Sequence, residues 1–196
     1  MQPDLATLVG SRICHDLISP IGAIGNGLEL LSLTGGQTSA EMDLISDSVQ
    51  NANARIRFYR IAYGAAGPEQ RLSAGDILPV FAALARAGRC SYHWHVPHDQ
   101  PRREVRCALL LVQCLESAMP LGGEVHVRLT GETWVISAVA PRFRVDQPLW
   151  DQLRGASPGF SCSAAQVQFA LLPGFMAEAG RDLQIDIGDD GIAARF

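Results

Sequence analysis

His15 and Asp16 are the residues of this chain whose types and placing best suit chemistry. Imidazole is a neutral nucleophile near pH 7. Its bond to phosphorus is labile, so a phosphoryl group taken up by His15 can leave again. The neighbouring carboxylate can hydrogen-bond one ring N–H, orient the ring, and accept a proton as the other nitrogen attacks. At helical spacing the neighbours of His15 are Ser11, Arg12, Ser19 and Gly22, with Asn26 one turn further. That face is small and polar, and Gly22, Gly25 and Gly27 add bare backbone to the helix. Each glycine costs about 1 kcal/mol relative to alanine in a helix interior, a cost that suits a partner lying close, or crowding between packed helices. Pro20 lacks an N–H, so it leaves the carbonyl of Asp16 free and is expected to bend the helix.

The other chemically suggestive residues fall short of a site. His93 and His95 share one face of an extended segment ending in Val96-Pro97-His98, but no nearby cysteine or acid completes a zinc spacing, so no metal ligand is expected. Cys107 and Cys114 are two turns apart on one apolar helix face and read as core, as do Leu149, Trp150 and Leu153.

The elements that must position His15 are legible from periodicity. Leu17, Ile21, Ile24, Leu28 and Leu31 recur at spacings of three and four, an apolar seam along one helix. Thr34-Gly35-Gly36-Gln37 breaks it, and Thr38 with Glu41 forms a capping box that opens a second helix. There Met42, Ile45, Val49, Ala52, Ile56, Tyr59 and Tyr63 step by three and four, up to Gly64. Two such seams joined by a short loop make an antiparallel hairpin, each helix roughly 35–40 Å long at 1.5 Å per residue. A lone hairpin leaves half of each seam wet, so two hairpins are expected to pair as a four-helix bundle in a homodimer; packing of the hairpin on its own C-terminal half is the alternative. Arg57 and Arg60 are placed at about the level of His15.

Beyond the linker at Ala65-Ala66-Gly67-Pro68 the pattern changes. Helices are expected over 76–87, 104–119 and 164–179, the last stopped by Gly180. Strands are expected over 90–96, 124–130, 133–139, 183–187 and 192–196, with turns at Gly131-Glu132 and Asp189-Asp190-Gly191. The whole is an α+β chain: residues 1–66 form the hairpin, and residues 67–196 form a two-layer α/β sandwich of helices and mostly antiparallel strands.

The string Ser11-Arg12-Ile13-Cys14-His15-Asp16-Leu17-Ile18-Ser19-Pro20 resembles the phosphoacceptor box of sensor histidine kinases, His-acid-Leu-x-x-Pro. Through Ile21-Gly22-Ala23-Ile24-Gly25-Asn26-Gly27-Leu28-Glu29-Leu30-Leu31 it is more similar to the ChpT-type histidine phosphotransferases. The resemblance implies a dimerising hairpin that carries a phosphohistidine, followed by a degenerate kinase-like ATPase domain. Carried over position by position, His15 is the phosphoacceptor, Asp16 its acidic neighbour, Pro20 the kink and Ser19 the small polar residue of the box.

A working kinase would hold ATP and Mg²⁺ in the second half, and three motifs for that are missing. The helix at the place of the asparagine box reads Val112-Gln113-Cys114-Leu115-Glu116-Ser117-Ala118, without an asparagine for the metal. The strand that should end in Asp-x-Gly reads Ser137-Ala138-Val139-Ala140-Pro141. Before the last long helix stands Ser161-Cys162-Ser163-Ala164-Ala165, and the lone Gly159 cannot supply a backbone nest for phosphates. No bound cofactor is therefore expected. The phosphoryl source and destination implied by the resemblance are receiver domains of response regulators, which carry an aspartyl phosphate and their own Mg²⁺. The face around His15 and Arg57 and Arg60 would dock them. A dimeric adaptor in which His15 is incidental, and a receiver phosphatase on the same surface, are the rival readings.

Composition agrees with this class. The chain has 196 residues, 47% hydrophobic and 18% charged, with a formal net charge of −4. A mildly acidic balance without clustered Lys and Arg argues against nucleic acid or an anionic membrane as partner. Five cysteines without a CxxC pair are expected to be reduced thiols, and with no signal-like start and no long apolar run a cytoplasmic location is expected.

Overall fold

A computed structural model of the chain describes residues 4–33, 39–155, 161–188 and 190–196. The expected helix break at 34–37, Thr38 of the expected capping box, the lone Gly159 and Asp189 of the last turn lie outside the described residues. Two helices come first, α1 (Leu5–Leu33) and α2 (Ser39–Ala62), of 29 and 24 residues. They pack against each other, and Gly27 lies against the side chain of Ile45: a Cβ at Gly27 would stand 2.6 Å from Ile45 Cγ1. α1 runs unbroken through Pro20, which is buried.

The seam divides into two flanks. Ile13, Asp16, Leu17, Pro20, Ile24, Gly27 and Leu31 are buried or half-buried. Ile21 and Leu28 remain more than half exposed, as do Met42 and, on the following turns of α2, half of Ile56. On its opposite side, α2 sends Ala54, Phe58, Ile61 and Ala62 into burial, and Phe58, Tyr59, Ile61 and Ala62 belong to the same apolar core as the second half of the chain. α2 is thus shared between the hairpin and the sandwich that follows it.

That second half adds the two-residue strands β1 (Arg71–Leu72) and β3 (Gln100–Pro101), which pair with each other, and the main strands β2 (Cys90–His95), β4 (Gly123–Thr130), β5 (Thr133–Val139), β6 (Gln184–Ile187) and β7 (Ile192–Arg195). The main sheet has the order β2-β4-β5-β7-β6, with β2 parallel to β4 and the other pairs antiparallel. Its inner face, carried by Val125, Val127, Trp134, Ile136, Ala138, Ile192 and Ala194, is buried. The helices are α3 (Ala74–Ala87), α4 (Arg102–Ser117), α5 (Gln147–Leu153) and α6 (Val167–Ala179), the last led in by a 3₁₀ turn, Ala164–Gln166. This is the α+β, two-layer arrangement the alternation of patterns predicts. Cys107 and Cys114 are fully buried in α4, and Leu149, Trp150 and Leu153 are buried in α5. The sequence pattern does not reveal β1, β3 or α5. A two-residue ladder has no periodicity to detect, and α5 is a seven-residue helix opened by a proline.

Local chemistry explains the helix ends. Ser73 and Asp76 form the capping box that starts α3, the Ser73 N–H and hydroxyl both donating to the Asp76 carboxylate at 2.8 Å. Gly180 closes α6 at φ +66°, a left-handed cap that glycine takes without steric cost. Among the described residues no helix is long and apolar enough to cross a membrane.

The sharing of α2 sets a measurable expectation. Phe58 is 3% exposed within the common core, so Phe58→Ala should cost about 3–5 kcal/mol. Urea denaturation followed by circular dichroism should show a lowered midpoint in one cooperative transition. A separate early melt of the helical hairpin would contradict a shared core.

Candidate functional site

His15 lies at the end of the third turn of α1, its side chain 81% exposed. Ser11, Ser19, Gly22 and Asn26, the positions expected to form its docking face, are all exposed. A Cβ added at Gly22 or Gly25 would meet nothing within 4 Å, whereas one at Gly27 would press on Ile45. The glycines therefore divide: Gly27 lets the two helices approach, and Gly22 and Gly25 leave the outer face low.

Asp16 is the centre of the site, with its side chain 11% exposed. One oxygen, Oδ1, faces His15 Nδ1 at 3.0 Å. The other, Oδ2, accepts from Arg12 Nε at 2.7 Å and from the Tyr59 hydroxyl of α2, with Arg55 Nη1 at 3.7 Å. Burial alone would raise the Asp16 pKa, but the hydrogen bonds from Tyr59 and His15 and the charge of Arg12 hold it below the ordinary aspartate value. Asp16 is therefore ionised at neutral pH and can only accept. It follows that His15 donates through Nδ1–H and that the Nε2 lone pair points outward, free to react.

The partners of Asp16 are held from behind. Tyr59, pushed up to about 12 by burial and by its bond to Asp16, stacks on Tyr63 with ring centroids 5.3 Å apart. The Tyr63 hydroxyl donates to Gln113 Oε1 of α4 at 3.0 Å. Arg12 reaches across to the carbonyl of Ala165 in the 3₁₀ turn before α6, at 2.5 Å, and Arg55 Nε donates to Asn51 Oδ1 at 3.0 Å. A cleft of about 260 Å³ opens behind this cluster, lined by Arg12, Asp16, Arg55, Tyr59, Tyr92 and Glu116 among others. There the Tyr92 hydroxyl donates to Glu116 Oε1. Burial pushes the Glu116 carboxyl up, against the pull of that bond.

The two expected docking arginines stand elsewhere. Arg57 and Arg60 are exposed and line a depression with Gln70, Leu72, Asp76 and Arg102. Among the described residues, Arg55 and Tyr59 are the α2 side chains that reach the His15–Asp16 pair. Arg12 is turned inward to Asp16 and Ala165, its side chain 18% exposed. Sequence reasoning missed Tyr59, Arg55, Tyr63 and Gln113 as parts of this cluster. A signal existed: Tyr59 and Tyr63 bring hydroxyls onto an otherwise apolar seam, and a buried tyrosine hydroxyl needs a partner.

Three comparisons bear on this arrangement. The family model described as the histidine phosphotransferase C-terminal domain matches residues 74–191. The protein phosphotransferase ChpT of Brucella abortus (strain 2308) is 37% identical over 190 residues, covering 93% of this chain and 90% of that protein. A solved structure of a bacterial phosphotransferase superimposes with a TM-score of 0.82 at 36% identity, covering 98% of this chain and 95% of the other. By domain match, by identity over nearly its whole length and by fold, the chain belongs to the histidine phosphotransferase family.

Proposed function

We propose that this chain is a phosphorelay intermediate: His15 takes a phosphoryl group from the aspartyl phosphate of one receiver domain and passes it to the aspartate of another. The observation that carries the reading is an exposed imidazole whose Nδ1 is held by an ionised carboxylate, leaving Nε2 free. In the forward step the Nε2 lone pair forms a bond to phosphorus as the bond from phosphorus to the receiver's carboxyl oxygen breaks. The receiver keeps both electrons as a carboxylate. The imidazole becomes cationic, and Asp16 stabilises that charge through the Nδ1–H hydrogen bond. The reverse sequence delivers the group to the second receiver. Mg²⁺ belongs to the receiver's own site in this scheme. The transfer is mainly positioning and charge neutralisation, for which the stripe Ser11, Ser19, Gly22 and Asn26 provides an unobstructed approach.

ATP has no part in this reading. The motif residues for nucleotide and metal are missing, and the α4 side chains nearest the site already have partners: Gln113 accepts from Tyr63, and Glu116 from Tyr92. We also propose a homodimer. The exposed apolar flank of Ile21, Leu28, Met42, Val49 and Ile56 is what a second hairpin would cover in a four-helix bundle. Residues 1–66 would then act as the transfer and dimerisation unit, and residues 67–196 as its scaffold. All five cysteines are free, which suits a reducing, cytoplasmic setting.

Incubation with a phosphorylated receiver domain tests the transfer. The label should be acid-labile and alkali-stable, as a phosphoramidate is. His15→Ala should abolish it without loss of fold, and Asp16→Asn should slow it by about 10²-fold or more. Label retained by His15→Ala would refute the relay.

The pH profile carries a sharper expectation. Asp16 sits below its ordinary value of 3.8, so its ion pairing contributes to the stability of the fold in a way that acid titration should read. That stability is present above the ordinary aspartate value and lost as the pH falls through the lowered one. Tyr59→Phe removes one of the bonds holding it down, so the acid-unfolding midpoint, followed by circular dichroism, should move to higher pH. An unmoved acid-unfolding midpoint in Tyr59→Phe would contradict the role given to the Asp16 cluster.

For assembly, light scattering should report a dimer, and Ile21→Asp should yield monomers, since burying an unpaired carboxylate costs several kcal/mol. A wild-type monomer at micromolar concentration would overturn the bundle.

A further inference from the structure

The outer face of the main sheet carries a histidine group that the phosphotransfer reading does not use. β2 and β4 run parallel in a register that makes His93 and His126 direct partners. Their rings stack with centroids 4.5 Å apart and planes 14° from parallel. Glu124 precedes His126 by two residues, so the strand period of two returns it to the same face. Its Oε2 lies 3.5 Å from His126 Nε2 and 3.8 Å from His93 Nε2. The three ligand atoms all fall within 4.8 Å of one another.

We propose that His93, His126 and Glu124 form a binding site for a divalent first-row transition cation of the zinc type, which would clamp the edge strand β2 to β4. Two imidazole nitrogens and one carboxylate oxygen suit zinc, nickel or copper better than magnesium or calcium, which prefer all-oxygen sets. Zinc bonds of about 2.0–2.1 Å in tetrahedral geometry place ligand atoms about 3.3–3.4 Å apart. The two pairs that include the Glu124 oxygen are within a few tenths of an ångström of that spacing, and small ring and carboxylate rotations close the remainder. His93 Nε2 is buried and has no hydrogen-bond partner. A polar atom left so is costly, and a metal bond would satisfy it. The partial exposure of the group, 40% for His93 and 60% for Glu124, leaves room for a water to complete four-coordination.

His95 completes the arrangement as a positioning residue. Its Nε2 stands 3.4 Å from His126 Nδ1, and its ring lies 9° from parallel to that of His126. With His126 bound to metal through Nε2, its Nδ1–H would donate to His95, fixing the tautomer and the ring plane as second partners of metal-bound histidines do. Arg128 pairs with His95 across the strands and puts one positive charge near the site, against which Glu124 supplies the compensating anion.

Zinc titration of the full chain by calorimetry, in excess magnesium, tests the site. One Zn²⁺ per chain should bind, and Co²⁺ should give the visible absorption of a tetrahedral complex. His95→Ala should weaken zinc by about 10–100-fold. His93→Ala and His126→Ala should weaken it further, while His98→Ala and Cys14→Ser should leave it unchanged. Zinc should raise the melting temperature of the wild-type chain but not of His126→Asn, a substitution close to the shape of the ring; circular dichroism of that variant without metal should match wild type. Absence of zinc binding, affinity unchanged in both His126 variants, or affinity lost in Cys14→Ser would each overturn the proposal.

Discussion

One carboxylate, that of Asp16, carries the geometry on which the rest of the acceptor depends. It is nearly buried, yet ionised, because three donors converge on it: the His15 ring, the Arg12 guanidinium and the Tyr59 hydroxyl. A buried charge is tolerable only when so paired. The pairing fixes the imidazole tautomer and ties α1 to α2. Through Tyr59, Tyr63 and Gln113 it reaches α4, the most deeply buried helix of the sandwich. The exposed nucleophile is therefore anchored to the core by a chain of polar contacts, and its own side chain contributes almost nothing to packing.

The same dependence explains how the second half of the molecule serves the first. Arg12, besides its bond to Asp16, is held by the Ala165 carbonyl of the 3₁₀ turn before α6, and the Tyr63 hydroxyl is held by Gln113 of α4. The second half of the chain is thus required to hold these two groups. The sharing of Phe58, Ile61 and Ala62 with the sandwich core adds the apolar part of that anchorage.

Much of this was legible in the sequence, and the limits follow from physics. Helices and strands announce themselves by periodicity, and the small polar stripe around His15 follows from helical spacing alone, so both are found in the structure as read. Contacts across elements are not local properties. Height along a hairpin placed Arg57 and Arg60 beside His15, but the angle around α2 decides which side chains face α1, and that angle favours Tyr59 and Arg55. The single seam on each helix proved to be two flanks, one meeting the neighbouring helix and one left apolar and open. The acid beside His93, Glu124, was not visible as its partner because it is 31 residues away in sequence and arrives only through the parallel β2–β4 pairing.

The bond from Arg12 to Ala165 joins residues 153 positions apart. Closing so long a loop has an entropic cost that must be met before the contact can repay it. The hairpin can form from nearby residues, but the support that Arg12 gives Asp16 is completed only by the 3₁₀ turn before α6. During synthesis His15 emerges well before Ala165, and its surroundings are completed only after that later segment has been made. An incomplete chain would expose the imidazole without the orientation that suits it to transfer, so a truncated product would compete poorly for the phosphoryl group even while displaying the acceptor.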